Sequence, residues 1–204
     1  MEQVDSSAAP YHAVRFYEND TALARIVAQF LHEGFNAGSP CIVVATPNER
    51  AEIVRELTER LLDVGALQRS RDLVLLDAEE TLSTFMTRGQ PDATKFRDQI
   101  CQVIEHACRG RTNCSVRIFG QMVDVLWQQG NRDGAIRLEV LWNHLANTRG
   151  FSLLCGYVIG NFYKDAGFED ICGQHSHVVA DDGKATRRPS VSSERDRRLE
   201  RDGG

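Results

Sequence analysis

Cys41-Ile42-Val43-Val44-Ala45 contains no polar side chain. A strand that is apolar at every position has no face to show to water, so it must sit in a sheet covered on both sides. Parallel sheets with helices above and below meet that condition, and the flanking sequence fits it. Thr46-Pro47 opens a helix, with Pro47 near its first position and Glu49 in its first turn. Ile53, Leu57, Leu61 and Leu62 supply the apolar stripe of that helix.

The same alternation recurs along the chain. His12 to Tyr17 reads as a first strand, with Asp20 as N-cap of a helix whose inward residues are Leu23, Ile26, Val27, Phe30 and Leu31, closed by Gly34 and Gly38. Residues 65–72 read as a loop, and Leu73 to Leu76 as a third strand. Helices are expected over Glu79 to Met86 and over Ala93 to Cys108, the latter facing inward with Phe96, Ile100, Val103 and Ile104. Ser115 to Phe119 and Phe151 to Tyr157 are two more strands, and residues 161–172 a short helix. Strands and helices in alternation predict a mainly parallel, three-layer α/β domain with right-handed crossovers. Its span is residues 11–179. Residues 1–10, and the polar stretch 180–204 with almost no large apolar side chain, are expected to be disordered.

Gly120 to Leu145 leaves the fourth strand and carries both tryptophans of the chain. A short apolar segment, Met122 to Trp127, is broken at Gln129-Gly130-Asn131. Then Ile136, Leu138, Leu141, Trp142 and Leu145 fall at helical spacing. Leu138 and Leu141 bracket Glu139 on the apolar side, and a buried carboxylate there needs donors such as Asn143, Arg117 or an indole N–H. A solvated Glu139 is the plain alternative. Aromatics and polar groups at a strand exit suit either a ligand pocket or a packed core.

Several functions are excluded or disfavoured. A net charge of −5 argues against general binding to a phosphate backbone. No apolar run approaches the roughly 20 residues of a membrane helix, and Met1 to His12 lacks a secretory pattern, so a cytoplasmic location is expected. The six cysteines are scattered through apolar elements without a CxxC, which reads as buried small hydrophobes and not disulfides. The first strand runs into Glu18-Asn19-Asp20-Thr21, with neither the glycines nor the lysine of a phosphate loop, and no GxGxxG or GxSxG occurs. Cys155, inside an apolar strand, is expected to be inert as a nucleophile. His12, His175 and His177 lie where a parallel sheet can gather remote ends, with Glu139, Cys155 and Cys172 as further donors. They are candidate metal ligands, against the plain reading of histidines bonded to backbone or solvated.

FYENDTAL, FLHEGFNAGSPCIVVATPNER, LLDAEETLSTFMTRGQPD, VRIFGQMVDVLWQQGN, LEVLWNHL, LLCGY and the late HSHV, in this order, resemble the MEDS or DcmR-like sensory domain over about residues 11–179. The resemblance implies a RecA/KaiC-like α/β fold without the phosphate loop. It also implies a sensory role in prokaryotic signal transduction, toward simple hydrocarbon derivatives or related small molecules. Such domains accompany histidine kinase, anti-sigma or DNA-binding output modules. The family's recurrent His and Cys positions fall here on His12, Cys155, His175 and His177. Where relatives commonly read Gly-Glu-Met, this chain has Gln121, which keeps hydrogen bonding and loses the charge.

The resulting expectation is a non-enzymatic sensor with no obligatory cofactor. Its small-molecule ligand would sit at the carboxyl ends of the strands, among Tyr17, Phe119, Gly120, Gln121, Trp127, Glu139, Trp142 and Tyr157. Output would run through a signalling protein such as a histidine kinase or anti-sigma regulator, without direct contact with nucleic acid or membrane. The alternatives are a ligand-free interaction module and a degenerate nucleotide-handling ATPase.

Overall fold

The computed structural model describes residues 11–162, 173–179 and 185–187. In chain order the main elements are β1 (His12–Tyr17), α1 (Asp20–Asn36), β2 (Cys41–Ala45), α2 (Pro47–Glu59), α3 (Val64–Ser70), β3 (Leu73–Asp77) and α4 (Ala78–Phe85). A two-stranded ribbon, β4 (Met86–Thr87) and β5 (Gln90–Pro91), leads to α5 (Ala93–Cys108). Then come β6 (Arg117–Gly120), α6 (Met122–Gln128), α7 (Arg132–Arg149), β7 (Ser152–Val158), a 3-10 turn (Ile159–Phe162), β8 (His177–Val179) and β9 (Ala185–Arg187).

The sheet order is β3-β2-β6-β7-β1-β8-β9. Strands β3 to β8 along this order are parallel, and β9 adds one antiparallel edge. The expected three-layer α/β architecture is therefore present, and all five residues of β2, one strand in from the β3 edge, are buried. Alternation splits each strand between two cores. Val14, Ile42, Val44, Ile118, Leu153, Cys155 and Tyr157 face α4 to α7. Ala13, Tyr17, Val43, Phe119 and Leu154 face α1 and α2.

Local chemistry moves several expected boundaries. Asn19, not Asp20, caps α1, its side chain accepting from Ala22 N. Gly34 lies inside α1 and does not end it; the side chains of Cys41 and Arg117 press against the place a Cβ would occupy. The expected loop after Gly65 is the helix α3, capped by Asp63. The ribbon β4–β5 turns at Arg88-Gly89, both with positive φ, as a tight two-residue hairpin requires.

Two cysteines depart from the expected unpaired state. Cys108 and Cys114 form a disulfide, because the turn after α5 brings their Cα atoms to 5.7 Å. Cys41, Cys101 and Cys155 are buried and free, as expected of small hydrophobes. The polar composition after residue 180 also misled at one place, since Ala185–Arg187 pairs with β8. The helix expected at 161–172 lies outside the described residues except for its first two positions, and residues 1–10 lie outside them entirely. Among the described residues no helix is long and apolar enough to cross a membrane.

Candidate functional site

Four segments meet around one carboxylate on the α5–α7 side of the sheet. His12 projects from the start of β1, Cys155 from the middle of β7, Glu139 from α7, and His175 from the turn before β8. All four side chains are buried, Glu139 and Cys155 completely. Glu139 Oε2 lies 3.3 Å from His12 Nε2, and its Oε1 lies 3.4 Å from His175 Nε2. Cys155 Sγ is 3.2 Å from His12 Nε2 and 3.7 Å from Glu139 Oε2. The imidazole centres are 4.2 Å apart.

The surroundings orient these groups. Asn143, one turn beyond Glu139, donates through Nδ2 to the Gln174 carbonyl at 2.7 Å. That fixes its Oδ1 toward His12, where it accepts from Nδ1–H at 2.8 Å, so Nε2 is the nitrogen turned inward. Tyr157 OH donates to Glu139 Oε1 at 2.8 Å. Ser176 clamps the last segment onto the first strand: its N and Oγ both donate to the His12 carbonyl, and its Oγ accepts from His12 N.

Burial pushes the Glu139 carboxyl up, but His175 and then His12 outweigh it and hold it well below the usual carboxylate range. Burial, with the Glu139 charge behind it, pushes the Cys155 thiol and the Tyr157 phenol well above their usual values. Cys155 is thus no free nucleophile, in line with its position in an apolar strand.

His177 is not part of this cluster. A fully extended His-x-His segment would put both rings on one side, but the chain bends at Ser176 before β8 starts. His177 pairs with Ala13 in the sheet and packs its ring on Tyr11, on the α1 side. Cys172, another candidate donor, lies outside the described residues. Glu139, which the sequence offers both as a ligand contact and as a further metal donor, joins the histidines and the cysteine.

The other ligand candidates divide into three groups. Tyr17 and Gln121 form a second polar knot at the carboxyl ends of the strands. Gln121 Nε2 donates to Tyr17 OH at 3.1 Å, and its Oε1 accepts from Thr46 N and Oγ1 at 3.1 and 3.2 Å. Tyr17 OH donates to Asp124 Oδ2 at 3.3 Å, and Asp124 Oδ1 accepts from Val158 N at 3.2 Å. Asp124 completes this knot and was not singled out from sequence; its place among Met122, Val123, Val125 and Leu126, all apolar, was the available signal. Trp127 meets Tyr157 edge to face at 6.3 Å, and Phe16 stacks on the same Tyr157 at 6.1 Å. Trp142 is ordinary core, edge-on to Phe96 and Phe151, while Phe119 points to the opposite face and Gly120 ends β6.

A cavity of about 500 Å³ opens beside the Tyr17 knot, where β1 ends and α1 begins. Its described walls include Arg15, Phe16, Tyr17, Asn19, Ile159 and Val178.

Comparison with solved structures finds a KaiC-like protein from the hyperthermophilic archaeon Pyrococcus horikoshii OT3, with a TM-score of 0.58 and 14% sequence identity over 83% of this chain and 71% of that one. At that identity the likeness establishes the fold, that of a RecA/KaiC-like α/β domain, and nothing further. A comparison with curated proteins found no match. The sequence profile of MEDS, the MEthanogen/methylotroph, DcmR Sensory domain, matches residues 11–176, and by that match over most of its length the chain belongs to the MEDS family.

Proposed function

We propose that this MEDS domain binds a small organic molecule, without turning it over, in the cavity at the end of β1, and signals through a partner protein such as a histidine kinase or anti-sigma regulator. The observation that carries this reading is the cavity itself. Its volume of about 500 Å³ suits a small ligand. Phe16, Ile159 and Val178 offer apolar surface, while Arg15 and Asn19 can orient a polar head. Phe16 stacks on Tyr157, and Tyr17 reaches α6 through Asp124 and Gln121. A ligand that moves either ring therefore biases α6 and Trp127, which is the requirement for a population shift.

A titration with small alcohols, aldehydes, amines and halogenated hydrocarbons tests this reading. In a Trp142→Phe background Trp127 is the remaining reporter. A binder should change its emission, and Phe16→Ala should weaken that binder about 10-fold or more, some 1.4 kcal/mol. A panel that leaves Trp127 emission and the melting temperature unchanged counts against it.

One observation favours a ligand-free interaction module instead. The crevice between β2 and β6, where open parallel sheets hold their ligands, is filled by Gln121, only 5% exposed. If the panel gives no binder, yet Gln121→Ala changes the activity of a partner kinase or anti-sigma protein, that second reading takes over.

A further inference from the structure

We propose that His12, Glu139, Cys155 and His175 bind one divalent transition-metal ion of zinc-like preference. This site is separate from the ligand cavity, and its test does not depend on it.

Geometry carries the proposal. One donor atom from each of the four residues lies within 4.8 Å of every other. His12 Nε2, Cys155 Sγ and Glu139 Oε2 form a triangle of 3.2, 3.3 and 3.7 Å, and His175 Nε2 closes on the other carboxylate oxygen, Oε1, at 3.4 Å. Four donors at zinc-ligand distances around a tetrahedral centre are separated by roughly 3.3–3.8 Å. Imidazolium and carboxylate groups paired directly would close to about 2.7–2.9 Å. The histidines and Glu139 stand wider than that, at the spacing of groups that converge on a shared centre.

The donor chemistry selects the metal. Two imidazoles, a thiol and a carboxylate are a mixed nitrogen, sulfur and oxygen set, the kind zinc and cobalt take. Calcium and magnesium need six or more oxygens, and only one of these four residues supplies oxygen. On binding, the Cys155 S–H bond breaks, the sulfur keeps the electron pair for the metal, and the proton leaves to solvent. The thiolate and the carboxylate then cancel the double positive charge, so the buried centre is neutral overall.

The outer contacts are those such a site needs. His12 holds Nε2 inward because Nδ1–H is committed to Asn143. Tyr157 donates to Glu139 Oε1. Partners of this kind set the tautomer and the ring plane of ligating groups. With four protein donors the centre is closed, which fits a structural clasp or a switch and not a hydrolytic site with an open position.

The test uses the full chain, stripped with a chelator and reloaded with zinc or cobalt. One equivalent of metal per chain is expected by elemental analysis. The cobalt form should show intense visible bands of tetrahedral geometry and a near-ultraviolet thiolate-to-cobalt band. Cys155→Ser should abolish the latter band. Asn143→Ala, which removes no donor, should weaken binding about 10- to 100-fold, while His177→Ala should leave stoichiometry and affinity unchanged. A chain that is folded by circular dichroism and takes up neither metal overturns the proposal. So does a cobalt spectrum with no thiolate band, a measurement that stands even if Cys155→Ser fails to fold. Metal retained at full affinity by Asn143→Ala and lost in His177→Ala places the ion elsewhere and also overturns it.

Discussion

Gln121 shows what an amide does at the exit of β6 that a carboxylate cannot. It uses both ends, donating to Tyr17 and accepting from Thr46, 5% exposed and beside the Asp124 carboxylate. A carboxylate there can accept from Thr46 but has nothing to donate to Tyr17, and it adds a second negative charge to the knot. Gln121→Glu should therefore destabilise the fold at neutral pH by about 1–3 kcal/mol, read as a lower urea midpoint at unchanged slope. An unchanged midpoint would mean that Tyr17 and Asp124 rearrange at no cost. Asp92 is a different kind of acid, half-buried at the start of α5. Backbone N–H groups of Lys95 and Thr94 hold its carboxyl below the usual value. Because the folded-state value is depressed, its contribution is present above the ordinary carboxylate range and lost as pH falls through the depressed value. Asp92→Asn keeps a capping oxygen but does not titrate, so it should show a smaller loss of stability between neutral and acid pH than the parent chain.

Among the elements, legibility followed length and pattern. Helix α5 runs over Ala93–Cys108, as its apolar spacing predicts, and β2 is buried throughout. Helix α3 does not show in the sequence because seven residues with few apolar positions give too little periodicity. The β4–β5 ribbon, two residues per strand, leaves no alternation to find. The Cys108–Cys114 pairing depends on the turn between them, which composition does not reveal. That disulfide joins residues separated by 6 positions, and a loop this short is worth about 2 kcal/mol in the chain-entropy account. Cys114→Ser should lower the stability of oxidised protein by that amount and leave thiol-reduced protein unchanged; an equal loss in both would assign the effect to packing. Gly34 makes a second prediction at this scale. Cys41 Sγ lies 2.7 Å and Arg117 Cδ 3.0 Å from its added methyl. Despite the better helix propensity of alanine, Gly34→Ala should cost about 1–3 kcal/mol by overpacking α1 against β2 and β6.

Across the whole molecule, the candidate metal site ties the first strand to the last parallel one. His12 and His175 are brought together because β8 joins the sheet beside β1, through Ala13↔His177 and Val14↔Val178. The sequence showed which residue types could gather, but not that Ser176 bends the chain so that His175 turns inward and His177 outward. It also left Glu139 between two roles, because a helix pattern says that a side chain faces the core and not which strand it meets. β8 is short, and β9 covers its outer edge with three further pairings. A chain ended at Val179 loses those backbone bonds, about 1–2 kcal/mol in sum, and exposes β8 as a sheet edge open to other chains. The shortened chain should melt earlier, elute partly as larger species in size-exclusion chromatography, and bind cobalt more weakly, since His175 depends on β8 for its place. If its elution and its cobalt affinity are those of the parent chain, the Ser176–His12 clamp alone holds His175, and β9 serves something other than the cluster.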